Sequence, residues 1–134
     1  MLTENDVVKI LAIYLEKEGY KIIQKLTTLE KGFDIVAEKN RITLYIEAKG
    51  GTSSKKGSRR YEKPFTKNQV GTHVSVAIMA SLKILSKGNK KFKKVAMAFP
   101  DNENHRAVIA PIAPLLKKIG IMIFLVNENL VTKI

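Results

Sequence analysis

The sequence predicts an α/β domain of the α+β kind, with a mixed central sheet flanked by helices. Two amphipathic helical runs, each opened by a capping pattern, enclose short strand-like segments. A strand, a helix and a second strand follow the later run, and no internal repeat or linker interrupts the order. At 134 residues the chain has the length of a single domain, expected to span 1–134.

The first helix is expected from Glu4 to Glu18. Val7, Val8, Leu11, Tyr14 and Leu15 share one face, Thr3 with Asp6 supplies an N-cap, and Gly19 ends the run. Three strands follow at Tyr20 to Leu26, Phe33 to Glu38 and Ile42 to Lys49, although Ile22 and Ile23 spoil the alternation in the first. The second and third form a hairpin turning at Asn40 and Arg41. From Gly50 to Lys67 the apolar rhythm disappears, with Gly50 and Gly51 read as a loop hinge. Thr66 and Gln69 match a capping box. Val70, Val74, Ala77, Ile78, Leu82 and Leu85 then mark one face of a long helix that ends near Gly88. Lys94 to Phe99 is a short strand, Pro100 to Glu103 a turn, Ala113 to Ile119 a helix stopped by Gly120, and Ile121 to Val126 a last apolar strand. The segment from Lys94 to Val126 is expected to be a right-handed crossover between parallel strands.

Composition narrows the function. The formal charge is +12, from 24 Lys and Arg against 12 Asp and Glu, which points to an anionic partner, with nucleic acid first. A basic surface serving solubility alone is the alternative that charge cannot reject. There is no cysteine, which excludes disulfides and thiolate metal sites. No apolar stretch approaches the roughly 20 residues of a membrane span, and the N-terminus lacks the layout of a secretory signal, so a cytoplasmic address is expected.

The hairpin carries the chemistry. With its turn between Asn40 and Arg41, residues whose numbers sum to 81 are partners, and Asp34 faces Glu47. Phe33, Ile35, Ala37, Leu44, Ile46 and Ala48 then form an apolar face. Asp34, Val36, Tyr45, Glu47 and Lys49 occupy the other. Opposed carboxylates repel each other, a conflict that a divalent cation resolves. Magnesium or manganese, taking Asp34, Glu47 and the carbonyl of Ala48 as ligands, suits such a donor set. On the same side the Lys49 ammonium can hold an attacking water and neutralise charge building on a phosphate.

Gly-Phe-Asp34-Ile-Val-Ala together with Glu47-Ala-Lys49, with twelve residues between Asp34 and Glu47, resembles the signature of the PD-(D/E)XK nuclease superfamily. Glu47 to Lys49 is the only acidic-x-Lys tripeptide in the chain, and Phe33 stands where a proline gives the family its letters. The resemblance runs from about Glu4 to Phe99. It implies a restriction endonuclease-like αβββαβ core and magnesium-dependent hydrolysis of DNA, as in restriction, repair and Holliday-junction-resolving enzymes. It also implies that Glu4 is a third acid from the first helix and that Gln69 touches water or phosphate. Each has a plainer reading, Glu4 as a helix-dipole partner and Gln69 as the cap partner of Thr66.

Lys55, Lys56, Arg59, Arg60 and Lys63, with Lys67 at the start of the long helix, leave directly from the Glu47–Lys49 strand and read as a DNA backbone clamp. Tyr61 and Phe65 could stack on a base or pin the loop. His73 and His105 read as structural or surface residues, and Lys87, Lys90, Lys91, Lys93 and Lys94 as a solvated turn. Because cutting both DNA strands needs two sites, a homodimer is expected. Two other functions fit the same composition: a DNA-binding module of this fold that needs a partner for activity, and a basic RNA-binding protein.

Overall fold

The computed structural model describes residues 1–26, 32–52, 63–88 and 90–134. Helix α1 (Glu4–Lys17) is opened by Thr3 and Asp6, which form a reciprocal capping box. Strands β1 (Lys21–Lys25), β2 (Ile35–Lys39) and β3 (Ile42–Ala48) follow, then helix α2 (Lys67–Leu85) and strand β4 (Lys93–Pro100). Helices α3 (Glu103–Ile109) and α4 (Ala113–Lys118) lead to β5 (Ile121–Val126) and β6 (Val131–Lys133). The six strands form one sheet in sequence order. β1, β2 and β3 pair antiparallel, β3, β4 and β5 pair parallel, and β6 returns antiparallel on β5. This is the mixed, helix-flanked sheet that the sequence predicts.

The sheet separates two apolar layers. On one side α1 lays Val7, Val8, Leu11 and Leu15 against Ile35, Ala37, Leu44, Ile46, Ala96 and Ala98. On the other, Val70, Val74 and Ala77 of α2, Ile109 of α3 and Leu116 of α4 cover Val95, Met97, Phe99, Ile121 and Ile123. Alternation along β4 explains both layers: from Val95 onward odd residues face α2, even residues face α1, and all are buried.

The hairpin register is as expected, with Ile35 opposite Ile46 and Ala37 opposite Leu44. Asn40 and Arg41 take φ of 52° and 66°, the left-handed pair that a two-residue turn requires. The imperfect alternation at Ile22 and Ile23 has a physical cause. The β1–β2 register shifts between Ile22 and Gln24, and the irregularity leaves Ile23 exposed.

Two elements were not expected. The expected turn at Pro100 to Glu103 instead splits: Pro100 ends β4 and Glu103 begins α3. The available signal was Asn102, whose side chain caps His105 N–H, but seven residues are too few to show helical periodicity. β6 has only three residues, too short for a period of two. Its signal was the Asn127 turn, in which Oδ1 accepts from the amides of Asn129 and Leu130. Among the described residues, no helix is long and apolar enough to cross a membrane.

The lysine-rich turn after α2 is also more than a solvated turn. Lys93 Nζ donates to the carbonyl of Ile84 at 2.6 Å, which also accepts from Lys87 N–H at 3.3 Å, and contacts the carbonyl of Lys87 just past the helix end. Lys93→Met keeps the aliphatic stem and removes the donor. We expect it to lower stability by about 1–2 kcal/mol in urea unfolding, and an unchanged midpoint would mean that water serves those carbonyls equally well.

Candidate active site

The site begins where the β2–β3 ladder stops. Its last pair is Ile35 with Ile46, so a continued ladder would turn the amide of Ala48 toward Phe33. Instead Ala48 N–H donates to Asp34 Oδ2 at 2.7 Å, a buried bond between main chain and carboxylate. The Phe33 carbonyl accepts from the Gln24 side chain at 3.0 Å, and the Asp34 carbonyl accepts from Leu26 N–H at 2.8 Å. Asp34 therefore sits in a fork between β1 and β3, with only 7% of its surface exposed. Phe33, expected on the apolar face opposite Ala48, leaves that face and sets its ring edge-on to Tyr45 at 5.6 Å. The fork is the reason, since Phe33 precedes the first paired residue of β2 and does not obey the strand's alternation.

Glu47 and Lys49 lie at the end of β3. The Lys49 amide donates to the Ala98 carbonyl at 2.9 Å, so β4 holds the main chain beneath both side chains. Lys49 Nζ is 3.4 Å from Glu47 Oε1, and the two side chains are 18% and 16% exposed. A pair this sheltered is less screened by water than a surface ion pair.

Glu4 is delivered by an approach that only glycine permits. A Cβ on Gly50 would overlap Glu4 N and lie 2.8 Å from the Thr3 carbonyl carbon. Next to it, Gly51 N–H donates to the Leu2 carbonyl at 2.8 Å. Gly50 and Gly51, expected to be a hinge, instead press the exit of β3 against the first turn of α1. Glu4 consequently reaches Asp34, and the two carboxyls share a hydrogen bond.

Electrostatics join these groups into one unit. Burial is the main cause that pushes the Asp34 carboxyl up to about 6, reinforced by the charge of Glu4 and opposed by the Ala48 amide and Lys49. Burial likewise raises Glu4, with Lys49 opposing and Glu47 adding to the rise. Glu47 is raised first by burial and then by Asp34, while Lys49 pulls it down. The bond between Asp34 and Glu4 favours the proton on Asp34, because it raises Asp34 and lowers Glu4. Three carboxyls with one ammonium thus converge where the inner strands β2 and β3 part, held in an environment that resists their ionisation.

The remaining expected residues divide. Gln69 Oε1 accepts from the Thr66 amide at 2.9 Å and Thr66 Oγ1 from the Gln69 amide at 3.3 Å, so the capping-box reading of Gln69 holds. Lys63 and Lys67 are exposed, whereas Lys55, Lys56, Arg59, Arg60 and Tyr61 lie outside the described residues. Phe65 packs edge-on to His73, with ring centroids 4.5 Å apart. The two histidines are not independent surface residues. Burial and the charge of Lys49 lower His73, and burial and His73 lower His105 to about 4. Sequence spacing could not reveal this, since α2 and α3 meet only in the folded chain.

A divalent cation fits the donor set. Asp34 and Glu47 offer hard oxygens, and a cation between them would offset the repulsion that raises Glu47. Among the described residues no three His, Asp or Glu side chains already form a metal cage. Magnesium asks for less, since it commonly takes one or two carboxylates and retains waters.

Native Asp34 binds a proton up to about pH 6, while an unfolded aspartate releases it near 3.8. Between those values the folded state holds more protons, so stability falls as pH rises through the window, by on the order of 2–3 kcal/mol. Without divalent metal, Asp34→Asn should therefore be more stable than wild type at pH 7.5, and the gap should close toward pH 4. Parallel stability profiles for the two proteins would refute the buried, protonated Asp34.

Compared with protein-family models, with curated proteins and with solved structures, the chain matches none of them.

Proposed function

We propose that the protein is a metal-dependent DNA endonuclease of the PD-(D/E)XK type, hydrolysing phosphodiester bonds at Asp34, Glu47 and Lys49, with Glu4 as the third acid. The observation that carries this reading is the meeting of three carboxyls with one lysine at the fork of β2 and β3. Stability alone disfavours such a cluster, because burial and like charge both oppose ionisation. A site that binds a cation and then a phosphate gives those costs a purpose.

In this reading Asp34 and Glu47 are the metal ligands, with the Ala48 carbonyl between them. The Ala48 amide fixes one Asp34 oxygen, and the carboxyl would be available to a cation once its proton is given up. When bound, magnesium or manganese would lower the pKa of the attacking water and neutralise charge on the phosphate. Glu47 orients the Lys49 ammonium, whose N–H groups can hold a water or a phosphate oxygen in line. Glu4, hydrogen-bonded to Asp34, would take up the proton that Asp34 must give up to hold a cation.

Charge supports DNA as substrate. The chain carries +12, and the first turn of α2 has no acidic residue but does have exposed Lys67, which a helix N-terminus by itself disfavours. Cutting both strands would require two copies of the site, so a homodimer is the assembly proposed.

Cleavage of supercoiled plasmid and of branched DNA, with magnesium or manganese, tests the reading. Wild type should cut, Asp34→Ala and Glu47→Ala should each lose about 10³-fold or more, and Lys49→Ala about 10²-fold. Metal without DNA should raise the melting temperature of wild type but not of Asp34→Ala. DNA binding with no cleavage of any form would favour a binding module that needs a partner.

A further inference from the structure

The carboxylate chemistry makes no use of two histidines, of which His73 is within reach of the Lys49 charge and His105 of His73. His105 on α3 is wholly buried, and its Nδ1 lies 2.8 Å from Asn102 Oδ1. The same oxygen accepts the His105 main-chain N–H at 3.0 Å, which fixes the orientation of the amide. An amide oxygen can only accept, so His105 Nδ1 carries the proton and Nε2 presents a lone pair. His105 Nε2 and His73 Nδ1 are buried polar atoms without a hydrogen-bond partner among the described residues. Such atoms are costly in a packed interior and call for a reason.

His73 lies on α2 one turn beyond Gln69 and is half-buried. The ring of Phe65 meets it edge-on, at an interplanar angle of 81°. Phe65 is itself held at both main-chain atoms: its amide donates to the Gly51 carbonyl at 3.0 Å, and its carbonyl accepts from Asn104 Nδ2 at 3.2 Å. The exit of β3 and the first turn of α3 thus clamp Phe65, and Phe65 limits the freedom of His73. Lys49 is close enough for its charge to act on the His73 ring.

We propose that His73 is a substrate-contacting residue of this site: its Nδ1 is buried, and its Nε2–H is the group placed on a phosphate oxygen beside Lys49. This rests on the nuclease reading and extends it to α2. Gln69 uses its side-chain oxygen on the helix cap, and His73, one turn further along α2, lies within reach of the Lys49 charge. A neutral ring adds a donor without repelling the ammonium, whereas a second positive charge there would weaken Lys49. The same ammonium disfavours a cation on the ring, which separates this role from metal ligation.

Ring packing and hydrogen-bond donation are separable by substitution. His73→Phe keeps an aromatic ring and removes both nitrogens, while His73→Gln keeps an N–H donor and removes the ring. His73→Leu serves as a second donor-free variant should the larger ring disturb Phe65. Single-turnover cleavage of plasmid and affinity for a short duplex are measured with magnesium for all of these and wild type, with melting temperature as the check on folding. The donor-free variants should lose about tenfold to a hundredfold in rate, as expected for one hydrogen bond to a charged group, and His73→Gln should stay within about threefold of wild type. The reverse order, or equal behaviour of the Gln and donor-free variants, would overturn the proposal. If wild type cuts no DNA, the nuclease reading fails on its own and duplex affinity decides the contact: weaker binding by the donor-free variants alone supports it, and any other order overturns it.

Discussion

The bond from the Ala48 amide to the Asp34 carboxylate sets the geometry on which the site depends. It replaces the next rung of the β2–β3 ladder and stops the sheet from zipping further. A strand pair that continued would bury the end of β3 under Phe33 and leave no opening at Glu47. Because the acceptor is a side chain, β3 stays satisfied while β2 bends away toward β1, where Gln24 and Leu26 take up the carbonyls of Phe33 and Asp34. The Ala48 amide and the Phe33 and Asp34 carbonyls are all paired at the fork, which allows it to be stable and open together.

A buried carboxylate in that position carries a cost, and its surroundings do not remove it. One amide favours the ionised form of Asp34, yet burial and Glu4 outweigh it. A fold selected only for stability would place asparagine there, since Asn can accept the same amide hydrogen bond without a charge. The tension is physical grounds for a functional reading, because groups held away from their preferred ionisation are groups that a ligand can bind strongly.

The site also depends on close packing between elements distant in the chain. Gly50 allows β3 to touch the first turn of α1, bringing Glu4 to Asp34. Lys49 reaches toward α2, where His73, Phe65 and the start of α3 are fastened to the Gly51 segment. One short stretch after β3 therefore has α1 on one side and α2 and α3 on the other. Displacing it would disturb the acids and the base together.

Much of this was written in local sequence. The capping pairs at Thr3 and Thr66, the hairpin turn at Asn40 and Arg41, and the burial of alternate residues in β2 and β3 follow from short-range chemistry that needs no partner. The hairpin register was legible for the same reason, since a two-residue turn sets it, but the ladder ends at Ile35 and Ile46, one pair short of the expected Asp34 opposite Glu47. The short α3 and β6 were not, because neither is long enough for periodicity to rise above composition. Only the tertiary structure decided that Asp34 turns to the Ala48 amide, that Gly50 is a contact and not a hinge, and that His73 comes within reach of Lys49 on one side and His105 on the other. These are relations between surfaces that meet after the chain has packed, and sequence spacing has no term for the distance between them.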